Sequence, residues 1–427
     1  MANLKTNFLG VELKNPVGVT SCEFGGHAWL AKRVCEQNIG WLIAKTCHKI
    51  NGPHRWARPY FYPLRKFGPE YKDTFTSGVM FQTIPYDEFF ETEGPKILKT
   101  CNENDVLYIG SCCGVGTEPE NWHQLVRDWE NLGVKMIELD TGGPHATFGA
   151  VEAQKDCGAP LAMDPEKAAQ VIKNCVEAVK IPIIFKCTPQ CTRQNEVVDA
   201  VAKAGAGAIS ANNSFYGGWI DAENEDFYGG RFAGGLTMGP AWQPFSLTKF
   251  LEVSSTLPNF PLIGGGGIAT GMDCVRYMLA GAQLTGLCGS VYTRGVGILP
   301  ECVKGISDFM DRKGYTDLEQ FRGKVLPKLG ELRDWPREDP FAQETPIIPK
   351  FDYDKCTKCG VCAKICFCGA IDMTDKGPEL NEHCKGCSFC MGMCPAKENA
   401  ITMVERDTGK FVWDGNGVYR NWLADRK

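Results

Sequence analysis

Nine of the chain's 22 cysteines crowd between Cys356 and Cys394. Cys356-x-x-Cys359-x-x-Cys362-x-x-x-Cys366 is written again eighteen residues on as Cys384-x-x-Cys387-x-x-Cys390-x-x-x-Cys394, followed by Pro395. Three thiolates at that spacing wrap one side of a cubane iron–sulfur cluster, and the fourth reaches the neighbouring cluster. The pattern assigns Cys356, Cys359, Cys362 and Cys394 to one 4Fe–4S cluster, and Cys384, Cys387, Cys390 and Cys366 to a second. Zinc also uses Cys-x-x-Cys pairs, but a zinc site takes four ligands in two pairs and has no use for the repeated third and fourth cysteines. Two details depart from the pattern. Phe367, not proline, follows Cys366, and Cys368 is a ninth thiol with no ligand role, read as packing.

Two clusters in series carry single electrons. Two-electron chemistry must then sit on a cofactor able to split electron pairs, which points to a flavin. The positioning elements lie in the first three hundred residues. Short apolar runs at Pro16–Thr20, Trp41–Lys45, Val106–Ile109, Met136–Leu139, Ile183–Lys186, Ala208–Ala211, Leu262–Gly264 and Thr285–Cys288 each suit a buried parallel strand. Helical stretches separate them. Asp164-Pro165-Glu166 supplies an N-cap, a proline at the first helical position and an acidic first turn before apolar residues at helical spacing. Eight strands alternating with helices predict a (β/α)8 TIM barrel. The long connection from the second to the third strand is expected to add structure over the barrel top.

Barrel enzymes place their chemistry at the C-terminal strand ends. There stand Thr20-Ser21-Cys22, Lys45-Thr46, Asp140-Thr141-Gly142-Gly143, Lys186, Asn212-Asn213-Ser214, Gly264 to Gly267, and Gly289-Ser290. Glycine turns after the last two strands suit a phosphate, which backbone N–H groups can approach closely. A Rossmann dinucleotide site is the rival for these glycines. It needs them after the first strand of its unit with an acid about twenty residues on, and the context offers neither.

The chain has 427 residues, 43% of them hydrophobic, with 48 glycines and a net charge of −5. That suits a large turn-rich α/β domain plus a small one, and gives no basic stripe for nucleic acid. Cysteines crowded in one segment, with no secretory signal read at Met1-Ala2-Asn3-Leu4-Lys5, argue for metal ligation in a reducing compartment rather than disulfides. The expectation is a soluble, cytoplasmic protein with no membrane span, at home in a low-oxygen setting. Expected boundaries are 1–312 for the barrel, 313–350 for a linker, 351–403 for a small bacterial-ferredoxin-like α+β domain and 404–427 for a tail.

Asn15-Pro16-Val17-Gly18, Ala44-Lys45-Thr46, Ile137-Glu138-Leu139-Asp140, Phe185-Lys186-Cys187-Thr188-Pro189, Gly264 to Ile268 and the eight cysteines together resemble the flavin-plus-ferredoxin portion of the dihydropyrimidine dehydrogenases. More distantly the chain resembles the dihydroorotate dehydrogenases. The resemblance implies FMN at the barrel mouth, held by Thr20, Ser21, Lys45, Thr46, Lys186, Asn212, Gly235, Gly265, Gly266, Gly267, Gly289 and Ser290. It implies Asn213, Ser214, Asp140 and Cys113 near the substrate. The chain departs from the family in the loop after the fourth strand. The family has an Asn-x-Ser-Cys-Pro-His-like run whose cysteine exchanges a proton with the substrate. Here the stretch reads Asp140-Thr141-Gly142-Gly143-Pro144-His145, and Gly143 carries no proton.

His145, with Asp140 and Lys186, is the candidate catalytic group, since an imidazole titrates near neutrality. Cys113, Cys47, His48 and Cys157 are weaker candidates, read first as packing. The expected function is an FMN- and iron–sulfur-dependent reductase or dehydrogenase of the CH–CH type. It would act on an activated C=C or C=N bond of a small cyclic or carbonyl-conjugated substrate. An electron-relay subunit of a larger complex, and a pyrimidine dehydrogenase with a non-cysteine acid, stand as alternatives. Electrons would be exchanged with a ferredoxin or a separate FAD/NAD(P)H reductase subunit, and a homo-oligomer is expected.

Overall fold

A computed structural model describes residues 2–49, 59–78, 82–143, 157–229, 235–329, 347–396 and 400–417. The chain forms two compact units, Met1–Leu329 and Gly330–Lys427.

The first unit is the predicted barrel. Its strands are β1 (Val17–Val19), β2 (Trp41–Ile43), β3 (Leu107–Cys112), β4 (Ile137–Leu139), β5 (Ile183–Lys186), β6 (Ala208–Ser210), β7 (Leu262–Gly265) and β8 (Leu284–Leu287). They pair in parallel and close as β6-β7-β8-β1-β2-β3-β4-β5. A helix follows every strand: Ala28–Cys35, Gly94–Glu103, Glu120–Leu132, Pro165–Ala178, Gln194–Lys203, Gln243–Thr256, Gly271–Leu279 and Ile298–Lys313. Asp164 caps its helix as the sequence predicts, accepting from the Glu166 and Lys167 amides.

Period-two alternation divides each strand between two cores. Val17, Val19, Leu42, Ile137, Leu139, Ile183, Phe185 and Leu287 face the helices. Trp41, Ile43, Ile109, Met136, Ile184, Ile263 and Leu284 fill the barrel interior, where Phe8 and Leu13 of the hairpin Thr6–Phe8/Val11–Leu13 join them. Trp41 is fully buried there. It fits because β1 carries Gly18: a Cβ at that position would stand 2.2 Å from the indole.

The same alternation decides the barrel mouth. Met136 points inward, so Glu138 and Asp140 do too; Ile184 points inward, so Lys186 follows. Charged side chains thus top a barrel whose lower layers are apolar.

The long connection after β2 adds two strands, Phe61–Pro63 and Phe75–Ser77. They join Phe215–Gly217 and Gly235–Met238, from the connection after β6, in a four-stranded antiparallel sheet. Phe61 and Phe75 pack on Tyr292 just beyond β8, with centroids 4.7 and 6.0 Å away.

The domain boundaries differ from those expected. Residues 313–329 are not linker: Leu318 and Phe321 are buried in the barrel unit's core. The second unit begins its sheet at Ile347–Phe351, which pairs antiparallel with Ile401–Glu405, and that strand pairs with Phe411–Trp413. Residues 404–413 therefore belong to the sheet of the second unit rather than to a separate tail. A hairpin, Ile371–Thr374 with Gly377–Leu380, and two one-turn helices, Val361–Lys364 and Phe389–Gly392, complete it.

Candidate active site and cluster-binding unit

A cleft of about 700 Å³, counting its open mouth, lies at the C-terminal ends of the barrel strands. Thr20, Ser21, Lys186, Asn212, Asn213, Ser214, Gly265, Gly266, Gly267, Gly289 and Ser290, all expected from the sequence, line it. Its far wall is the antiparallel sheet, through Phe215, Thr237 and Met238, with Trp242 stacked on Phe215 at 4.9 Å. The sequence predicts structure over the barrel top from the connection after β2, but not its pairing with the connection after β6.

Lys186 is the centre of the mouth's electrostatics. Its Nζ lies 3.2 Å from Glu138 Oε1 and 3.8 Å from Asp140 Oδ1. Burial works against the ammonium, but Asp140 and Glu138 outweigh it and hold its pKa above the ordinary lysine value. Glu138 is fully buried, and burial raises its carboxyl against the opposing pull of Lys186. The sequence reading did not single out Glu138 as a site residue. An acidic residue inside an apolar strand, two positions from inward Met136, was the available signal.

Asp140 sits in a network whose donors can be assigned. Thr46 Oγ1 donates to Asp140 Oδ2 at 2.8 Å. With its only hydrogen spent, Thr46 must accept from Ser21 and Ser111, each 3.1 Å away. Asn213 Nδ2 donates to Asp140 Oδ1 at 2.8 Å, while its Oδ1 accepts from the Ser214 amide. An acceptor-only carboxylate therefore stands where the family carries an amide, and its neighbours are arranged as donors to it.

The remaining expected residues are placed as follows. Lys45 is buried beside Glu23, 3.7 Å away, and is not among the cleft's lining residues. Gly235 lies in the antiparallel sheet opposite Gly217 and is not part of the lining. Cys113 is fully buried against Cys157, sulfurs 3.3 Å apart, and does not line the cleft; Cys47 is buried as well. Among the described lining residues Cys288 carries a thiol, and it went unnoticed in the sequence. Hydrogen bonding from Cys22, then Lys45 and Lys186, lower its pKa against burial. His145 lies outside the described residues.

The cleft fits the FMN that the resemblance implies. Gly266 and Gly267 have φ of +107° and +73°, and a Cβ on them would stand 2.3 Å from Ser246 Oγ and 2.7 Å from the Gln243 amide nitrogen. Only bare backbone suits these turns, which leaves amides free to approach an anion. Tyr277 fixes the turn by donating to Gly266 O at 2.8 Å. Asn212 gives its Nδ2 to Ser246 O at 2.8 Å, and its buried Oδ1 meets no donor among the described residues, as befits an acceptor for a ring N–H.

In the second unit, Cys356, Cys359, Cys362 and Cys394 line one cavity of about 350 Å³, with Met373, Ala400 and Ile401 among its walls. Cys394 of the second motif thus shares a cavity with the three leading cysteines of the first. The two motifs repeat in detail. Lys358 N donates to Cys356 Sγ and Gly386 N to Cys384 Sγ, each at 3.4 Å, and φ is positive at Lys358, Gly360, Gly386 and Ser388. Burial raises the Cys384 thiol and pushes Cys390 up to about 12.

Comparison with known proteins agrees. Residues 96–310 match the family "Dihydroorotate dehydrogenase", and residues 349–372, which hold the whole first cysteine motif and Cys368, match "4Fe-4S binding domain". The catalytic subunit of dihydroorotate dehydrogenase B (NAD(+)) from Methanocaldococcus jannaschii is 30% identical over 320 residues, 75% of this chain and 97% of the relative. Its counterpart from Alkaliphilus metalliredigens is 29% identical over 329 residues, 76% of this chain and 99% of the relative. About a quarter of this chain therefore lies outside each match. A parallel barrel with this mouth, joined to a 4Fe–4S segment, defines an FMN-type oxidoreductase of the CH–CH class. Within that class the chain belongs to the dihydroorotate dehydrogenase family.

Proposed function

We propose that this protein reduces or oxidises an activated C=C or C=N bond in a small cyclic or carbonyl-conjugated substrate, exchanging electrons through two 4Fe–4S clusters. The observation that carries the reading is one cleft ringed by Lys186, Asn212 to Ser214 and the glycine turns of β7 and β8. FMN bound there would supply hydride chemistry and split electron pairs for single-electron carriers. Lys186, Asn212, Gly265, Gly266, Gly267, Gly289 and Ser290 would hold it. The lysine charge sits where it stabilises negative charge in the cleft, and Asp140 with Glu138 keeps that charge in place.

The substrate side departs from the Asn-x-Ser-Cys-Pro-His-like run of the family the sequence resembles. Asp140 accepts and cannot donate, and Gly143 offers no acid. A pocket built for a ring amide tolerates mismatched polar groups poorly. Substrate would meet Asn213 and Ser214, which line the cleft, with Asp140 fixing Asn213 by accepting from its Nδ2. His145 is the proton donor we assign. The relatives are named as catalytic subunits, which supports electron exchange with a separate reductase subunit or a ferredoxin.

The test is anaerobic. Reduced protein is mixed with a panel of unsaturated cyclic and carbonyl-conjugated compounds, orotate and uracil included, and the flavin band is followed. Reoxidation faster than buffer by a non-pyrimidine supports the reading. Failure of the whole panel, with a tightly co-purifying partner restoring electron flow, would replace it with an electron relay.

A further inference from the structure

The two cysteine motifs repeat closely, but they part company just after their fourth cysteine. The second reads Cys394-Pro395-Ala396; the first reads Cys366-Phe367-Cys368. Both departures fall in one turn. Gly369 N donates to Cys366 O at 3.0 Å, closing a four-residue turn with Cys366 at its first position and Cys368 at its third. The turn carries both sulfurs on one side, 3.6 Å apart. Ala370 N donates to Cys366 Sγ at 3.3 Å, marking Cys366 as the sulfur the backbone prepares for ligation. Cys384, a ligand of the same cluster, has both Cys368 and Cys366 among its neighbouring thiols.

We infer that Cys368 is a second, exchangeable ligand for the iron otherwise held by Cys366. The inference rests on the proposed second cluster. In the exchange Cys368 gives up its proton and forms an Fe–S bond, while the Cys366–iron bond breaks and that sulfur takes up a proton. Charge and oxidation state are unchanged, so no oxidant is required. The distance to be covered is no more than the gap already present between the sulfurs. Phe367 explains why the turn can move. Proline would lock φ and remove an N–H at that position, whereas phenylalanine does neither. Its side chain is 74% exposed, so nothing packed on it holds the turn rigid. Cys368 is half-buried, with its sulfur beside that of Cys366.

The experiment uses the full chain, purified anaerobically, as wild type, C366A, C368A and C366A/C368A. Iron and acid-labile sulfide per chain are measured, with electron paramagnetic resonance of the reduced protein. Expected is two clusters' worth of iron in wild type, C368A and C366A, an altered second-cluster signal in C366A, and a fall by half in the double variant. If C366A alone falls by half while wild type and C368A keep both clusters, the exchange is overturned and the two-cluster reading stands. If wild type holds one cluster's worth, the two-cluster reading fails and the inference with it.

Discussion

At the scale of the residue, the mouth depends on how Lys186, Glu138 and Asp140 share charge. Removing one member of a buried ion pair leaves the others uncompensated and costs about 3–5 kcal/mol. Lys186→Met should destabilise the barrel by that order in denaturant titration and lose flavin on gel filtration. The pH dependence has a definite sign. A lysine whose folded pKa is raised contributes fully below the unfolded value of 10.5 and loses that contribution as pH rises through the higher folded value. The wild-type advantage over Lys186→Met should therefore stay flat from neutrality to about pH 10 and shrink above it. Asp140→Asn acts oppositely on the cleft. With one negative charge gone, the lysine field is less cancelled and negative charge on a bound flavin is better stabilised. The flavin midpoint should rise, by on the order of 30 mV for ~1.4 kcal/mol in a two-electron couple, read by anaerobic dye titration.

At the scale of the element, the glycine turn after β7 is the rigid part of the cofactor site. Gly266→Ala places a methyl on the Ser246 hydroxyl at a φ of +107°. FMN affinity should drop at least tenfold, about 1.4 kcal/mol, by fluorescence titration of stripped protein, with the far-ultraviolet spectrum kept. The helix Pro165–Ala178 offers a control that leaves the cleft alone. Asp164→Ala removes a cap accepting two backbone amides and should cost ~1 kcal/mol in chemical denaturation, with flavin content unchanged.

At the scale of the whole molecule, each compact unit has its own core, so stability should partition between them. Anaerobic iron removal should lower one calorimetric transition and leave the barrel's within a few degrees, because metal binding stabilises only the unit that holds it. A single transition that shifts as a whole would contradict this. Much of this layout was legible beforehand. Buried parallel strands read as continuous apolar runs, so all eight were found by hydrophobicity alone, and cysteine spacing is local enough to suggest that Cys394 stands near the first motif, with which it lines one cavity. The glycine turns were equally plain, since only glycine tolerates their backbone.

What the fold alone decided is contact between residues far apart in the chain. Glu138 became a partner of Lys186, and Thr46 a donor to Asp140, only when the barrel closed. The cleft's aromatic wall needed two connections to meet in one sheet, and Cys113 turned away to Cys157 instead of facing the cleft. The boundary at 312 failed for a related reason. Leu318 and Phe321 sit in a segment without strong periodicity, and packing against the barrel, not local pattern, buries them. Chemistry written in neighbouring residues survives in one dimension; chemistry made by closure does not exist until the strands meet.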